Sequence, residues 1–186
     1  MTIRLEQPGD ADGIRDTNEQ AFGSPLEARL VDSLRADAAP AEADALRHVS
    51  LVATLDERVV GHILFTPVTI EPPVDLEVRL KPDATFRRIA GLAPMAVHPN
   101  HQRSGIGGQL IRAGLEECRR SGYAAVVVLG HPEYYPRFGF VPAHTFGLTC
   151  EFPSPPEAFL AVELEPGGLR GMRGLVRYLP QFAAVS

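Results

Sequence analysis

Residues 102–108, Gln-Arg-Ser-Gly-Ile-Gly-Gly, separate an apolar run from Leu92 to Val97 and a stretch with helical periodicity. That arrangement suits an anion. The first N–H groups of a helix lack intrahelical acceptors and carry the positive end of its dipole. Gly105, Gly107 and Gly108 let the backbone approach a phosphate with no Cβ in the way. Two familiar phosphate-binding patterns fail on spacing. A dinucleotide fingerprint needs a third small residue where this chain has Leu110, and a P-loop needs Gly-Lys-Ser/Thr, which is absent. The other reactive side chains are dispersed. Cys118 and Cys150 offer no framework of bridges, and His48, His62, His131 and His144 lack metal-ligand spacing, so no metal is expected.

Definite elements must hold the turn in place. Leu92–Val97 reads as a strand buried on both faces, stopped by Pro99-Asn100. Ile106, Leu110, Gly114 and Cys118 recur at helical spacing with Leu115 beside them, and Gly122 closes that helix. Gly114 costs about 1 kcal/mol against alanine and suggests close packing on a sheet. Arg119-Arg120 reads as a solvated face, with Glu116 and Arg120 paired at i,i+4. Ala124–Leu129 is a second buried strand, so the unit is βαβ and its strands are expected to be parallel and adjacent, or nearly so.

Upstream, Thr2–Glu6 reads as a strand and Pro8–Phe22 as a helix with Ala11, Ile14, Asn18 and Ala21/Phe22 on one side. Ser24-Pro25 starts a second helix carrying Leu26, Leu30, Val31 and Leu34. His48–Leu55 and Val59–Ile70 form a hairpin about Asp56-Glu57-Arg58, and Glu71–Lys81 extends the meander. Downstream, His131–Phe138 reads as a short helix that Pro136 loosens. Phe146–Phe152, Phe159–Leu164 and Gly174–Tyr178 make a last antiparallel portion. The sum is an α/β fold, a mixed sheet with helices on both faces.

Gln102-x-x-Gly105-x-Gly107, preceded by Val97-x-Pro99, resembles the acetyl-coenzyme A signature of the GNAT superfamily of N-acetyltransferases. Tyr134-Tyr135-Pro136-Arg137-Phe138-Gly139-Phe140 resembles the family's closing motif, in the form seen in one bacterial subgroup of acetyltransferases. The resemblance implies a mostly antiparallel central sheet with one parallel, splayed strand pair. It implies acetyl-CoA (a cosubstrate) bound at Gln102 and the glycine turn, with its pyrophosphate on the backbone N–H groups of Arg103, Ser104, Gly105, Ile106, Gly107 and Gly108. The pantetheine then lies along Met95, Ala96 and Val97, and Tyr135 protonates the departing thiolate. A phenol is neutral at pH 7 and has a proton to give. The acceptor is an amine of a small molecule or peptide, attacking the thioester directly. Glu27, Glu71, Glu77 and His98 are possible bases that no spacing separates, and water is equally open. Many relatives are dimers, so a homodimer through the C-terminal strands and the Phe159–Leu164 stripe is a candidate.

The totals set bounds. The chain has 186 residues, enough for one domain over 1–186. A net charge of −5 argues against nucleic acid and is compatible with a cationic acceptor. No apolar run approaches the roughly 18 residues of a membrane span, and the first ten residues do not suit a signal peptide. A cytoplasmic protein is expected. A non-catalytic acyl-CoA sensor, or an acyltransferase using longer acyl chains or a hydroxyl acceptor, are the alternatives.

Overall fold

The computed structural model describes residues 1–37, 48–73 and 87–184. The element order is β1 (Thr2–Leu5), α1 (Ala11–Phe22), α2 (Leu26–Ala36), β2 (Val49–Leu55), β3 (Arg58–Glu71), β4 (Arg88–Val97) and α3 (Ile106–Arg120). Then come β5 (Tyr123–Leu129), β6 (Val141–Pro142), β7 (Leu148–Cys150), β8 (Phe159–Glu163) and β9 (Gly174–Arg177). The sheet runs β1-β2-β3-β4-β5-β8-β6, antiparallel except for the β4–β5 pair. β9 pairs with the end of β3 through Thr69–Glu71.

Local chemistry accounts for the boundaries. Gly23, at φ 66°, ends α1 and donates its N–H to the Glu19 carbonyl. The Ser24 hydroxyl accepts the Leu26 N–H at 3.1 Å at the start of α2. Asp56 and Glu57, both at positive φ, form the two-residue hairpin turn whose twist matches the flanking strands.

One face of the sheet takes α3, whose Ile106, Leu110, Ile111 and Cys118 are buried against Ile63, Phe65, Ala90, Leu92 and Val126. Gly114 is where helix and sheet come closest: a Cβ there would stand 2.3 Å from the Phe65 ring. Arg119 pairs with Glu116 at 2.6 Å but also donates to the Leu164 carbonyl at 2.9 Å, so it is not merely solvated. Arg120 reaches Glu116 at 3.3 Å, as expected.

The other face takes α1 and α2, with Ile14, Leu30, Val31 and Leu34 packed on Val52, Leu64 and Phe182. A polar chain, buried at Asn18 and His62 and partly buried beyond them, ties these layers together. Asn18 meets His62 Nδ1 at 3.2 Å, His62 Nε2 meets Ser50 Oγ at 3.0 Å, and the Ser50 hydroxyl donates to Glu6. Arg35 closes it on Glu6 at 2.7 Å. Burial holds the His62 imidazole neutral, its pKa lowered to about 3.

Several expectations are corrected. β7 and β9 pair in parallel, so the last portion is not wholly antiparallel. His131–Phe138 is a turn followed by a 3-10 helix over Tyr135–Phe138, and Pro136 fits at its start because no N–H is needed there. Leu26 lies exposed at 46% rather than on the buried stripe. The Phe159–Leu164 stripe, a candidate dimer contact, is largely buried in this chain, where β8 pairs with β5 and β6. The expected Glu71–Lys81 meander lies, from residue 74 to 81, outside the described residues. Among the described residues no helix is long and apolar enough to cross a membrane.

Candidate active site

The parallel ladder of β4 and β5 ends at Gly91↔Val127, although β4 runs on to Val97. β4 stays with β3 through a bulge between Leu92 and Met95, while β5 stays with β8. The two strands therefore part and open a cleft of about 1020 Å³. Ala93, Met95 and Val97 line it and are half-buried, which corrects the reading of this strand as covered on both faces.

Backbone groups face that cleft. The His98 N–H donates to the Val60 carbonyl at 2.9 Å, so by the alternation of an antiparallel strand the Val97 peptide groups turn to the opposite edge. The Gln102 side chain donates to the Val97 carbonyl there at 3.1 Å. That leaves the Val97 N–H, and by the same alternation the Met95 N–H, directed at the cleft. Ala96 is buried and bonds toward β3 instead.

The glycine turn forms one mouth. Arg103 at φ 58° and Gly105 at φ 86° swing the chain into α3, whose first intrahelical bond runs from the Gln109 N–H to the Gly105 carbonyl. The N–H groups of Ile106, Gly107 and Gly108 precede that bond and have no intrahelical acceptor. Each glycine differs. A Cβ at Gly105 would meet no neighbour, but its backbone conformation disfavours a side chain. A Cβ at Gly107 would project to 3.1 Å from the Tyr134 hydroxyl, inside the cleft. Gly108 has only ordinary contacts, with Arg112 and Phe138. The Ile106 side chain is core, and the Ser104 hydroxyl donates to the His101 carbonyl at 2.5 Å. These two residues offer backbone rather than side chain.

Tyr135 sits on the cleft wall, 7% exposed, edge-on to Phe140 and Tyr134 with ring centroids 5.5 and 5.3 Å away. Its ring occupies the space a side chain at Gly130 would need, since a Cβ there would come within 2.5 Å. Burial, with Tyr134 beside it, pushes the phenol up to about 12, so it remains a proton donor at neutral pH. The Tyr134 ring lies under Arg137 at 4.7 Å, and its hydroxyl faces the position that a Gly107 side chain would take. Arg112 lies over Phe138 at 5.1 Å. Arg103, Arg112 and Arg137 thus give this mouth a positive rim.

The possible bases separate. Glu27 lines the cleft, with Phe22, Leu30 and Phe182 from the α1–α2 side. Glu71 is ion-paired to Arg177 at 2.8 Å. The His98 ring accepts the Asn100 N–H at 3.3 Å. Glu77 lies outside the described residues. No group of side chains suited to a metal ion occurs among the described residues. Cys118 is core, its thiol pushed well above the ordinary range by burial.

Comparison with known proteins agrees with this geometry. The chain is 38% identical over 183 residues to the uncharacterized N-acetyltransferase YhbS of Escherichia coli (strain K12), covering 98% of each. The crystal structure of YhbS from E. coli in complex with CoA superposes with a TM-score of 0.81 at 37% identity, over 98% of this chain and 91% of that one. A GNAT family acetyltransferase from Brucella melitensis in complex with acetyl-CoA gives 0.69 at 35% identity, over 97% of both. Residues 12–140, from α1 through the glycine turn to Phe140, match the profile of the acetyltransferase (GNAT) family, and it is to that family that this chain belongs.

Proposed function

We propose that the protein is an acetyl-CoA-dependent N-acetyltransferase that moves an acetyl group to the amine of a small molecule or peptide. The observation that carries this is the parted β4–β5 pair, with free N–H groups along one edge, a positive mouth, and a protonated phenol on its wall. The relatives bound to CoA and acetyl-CoA support the choice of donor.

In this reading the backbone from Arg103 to Gly108 receives the donor's pyrophosphate, helped by the arginine rim. The edge of Met95–Val97 hydrogen-bonds the pantetheine as an added strand would. The Val97 N–H holds the thioester oxygen as negative charge develops; one such donor is worth about 3 kcal/mol. Tyr135 gives its proton to the leaving sulfur. The thioester supplies an already activated acyl group, so positioning the amine supplies much of the remaining acceleration.

The test is thermal unfolding with and without excess acetyl-CoA, followed by CoA release with amines. Saturation at 100 times the dissociation constant adds about 2.7 kcal/mol, or about 2–4 °C for each kcal/mol in a domain of this size. The shift should vanish in a folded Gly105→Glu variant. No shift at saturating donor would sink the reading. A shift without CoA release for any amine would favour a non-catalytic acyl-CoA module.

A further inference from the structure

The cleft is chemically lopsided. Three arginines line it, yet Glu27 is the only carboxylate among its described lining residues. The Glu27 Oε2 atom is buried and has no hydrogen-bond partner among the described residues. A first-turn glutamate favours its helix dipole from solvent just as well, so the dipole does not account for that burial. A buried carboxylate oxygen left unpaired is costly and calls for a donor.

The surroundings say what kind of donor. Leu30, one turn along α2 from Glu27, shares one set of apolar contacts with Phe182 and with Ala93 at the β4 bulge. Those contacts set this end of the cleft on the α1–α2 face of the sheet, while Tyr135 belongs to the core on the α3 face. Phe22, 43% exposed, completes an apolar wall beside the carboxylate. One anionic group in an apolar chamber fits a single cation carried on an apolar body.

Building on the acetyltransferase reading, we propose that Glu27 is the acceptor-amine residue, and that the acceptor is a primary amine on an alkyl or aromatic body. The Glu27 carboxylate accepts a hydrogen bond from the ammonium group and then its proton. The ammonium N–H bond breaks as an O–H bond forms on Glu27. The freed lone pair forms the C–N bond to the acetyl carbon, and the C–S bond breaks. Tyr135 gives the sulfur its proton, and a second nitrogen proton returns to the tyrosinate. The products are the acetamide, the free thiol of CoA, and a Glu27 carboxylic acid that loses its proton to water. Donor and acceptor thus approach the thioester carbon from opposite faces of the sheet.

The experiment compares wild type with Glu27→Gln and Glu27→Asp, using phenethylamine, hexylamine and ethylamine. The acetyl-CoA thermal shift should be the same in all three proteins; its absence in wild type is a failure of the acetyltransferase reading and not of Glu27. Calorimetric titration of phenethylamine into the CoA-loaded protein should show binding to wild type, at least tenfold weaker in Glu27→Gln. CoA release should fall at least 100-fold in kcat/KM for the amine in Glu27→Gln, with partial recovery in Glu27→Asp and an unchanged KM for acetyl-CoA. Phenethylamine and hexylamine should outperform ethylamine. Glu27→Gln within threefold of wild type overturns the proposal. So does failure of every amine to bind the CoA-loaded wild type, or indifference to the apolar body.

Discussion

Substituting Gly114 by alanine sets two known effects against each other. Alanine is favoured over glycine inside a helix by about 1 kcal/mol. Against that, the new Cβ would stand 2.3 Å from Phe65 Cε2 and 2.6 Å from Cζ, far inside van der Waals contact. Phe65 is fully buried in β3, between Val49 on β2 and Leu92 on β4, so its ring cannot swing away. The helix must retreat instead. Overpacking of this kind costs about 1–3 kcal/mol, and a rigid ring puts this site at the upper end. The expected net loss is about 1–2 kcal/mol, or about 2–8 °C in Tm for a domain of this size. Because α3 also carries the N–H groups of the glycine turn, its retreat from β4 should weaken acetyl-CoA binding as well. Urea unfolding followed by circular dichroism measures the first effect, and the donor-induced thermal shift the second. Phe65→Leu should cost less in the Gly114→Ala background than in wild type. A Gly114→Ala protein as stable as wild type, with no coupling to Phe65, would refute the account.

Tyr135→Phe should lower kcat by about 10²–10⁴-fold while the acetyl-CoA thermal shift is retained, and an unchanged kcat removes this residue from the chemistry. With its phenol pushed up to about 12, the wild-type rate should show no loss from ionisation of this group below about pH 11. His62 makes stability depend on acid: its folded pKa of about 3 lies below the ordinary 6.5, so the unfolded chain binds the proton first. Stability is then held above about pH 6.5 and lost as pH falls toward 3, and His62→Gln should flatten that slope in chemical unfolding at pH 7, 5.5 and 4. The Tyr178 hydroxyl is buried with no hydrogen-bond partner among the described residues, so Tyr178→Phe should leave stability in urea unfolding unchanged or raise it, by up to about 1–3 kcal/mol; a loss of stability would mean that the hydroxyl has a further partner.

The parts of the site that were legible beforehand are those imposed by the backbone. Gly105 must tolerate positive φ, and the order of strand, stop, turn and helix follows from local periodicity. Gly114 announced close packing because a glycine inside a helix is costly without one. The half-burial of Met95 and Val97 was not legible, since an apolar run looks the same whether both faces meet protein or one awaits a ligand. The parallel pairing of β7 with β9 depends on the path between them, which short strands do not encode. Phe182 belongs to the cleft only through a contact reaching from the C-terminal segment to α2, and no spacing signals that. Glu27 was one of several acids until the fold buried one of its oxygens. Leu26 misled because its place in the helical stripe was real while the stripe's edge lay in solvent.

The C-terminal segment that carries Phe182 also fixes the order in which the molecule can be finished. Gln181 donates to Asp37 at 2.5 Å across 144 residues of sequence, and β9 pairs back onto β3. A ribosome delivers β4, the glycine turn and Tyr135 before it delivers either of these. At roughly 5–20 residues per second, the interval is on the order of seconds. The donor cradle can therefore be assembled on a nascent chain whose acceptor chamber still lacks a wall. Acetyl-CoA that binds this cradle would then act as a folding partner for the incomplete protein, stabilising the β4–β5 region by mass action before any acceptor can be selected. Chains arrested before β9 should gain protease resistance from acetyl-CoA and acetylate nothing. Equal susceptibility with and without the donor would show that the cradle, too, waits for the last strand.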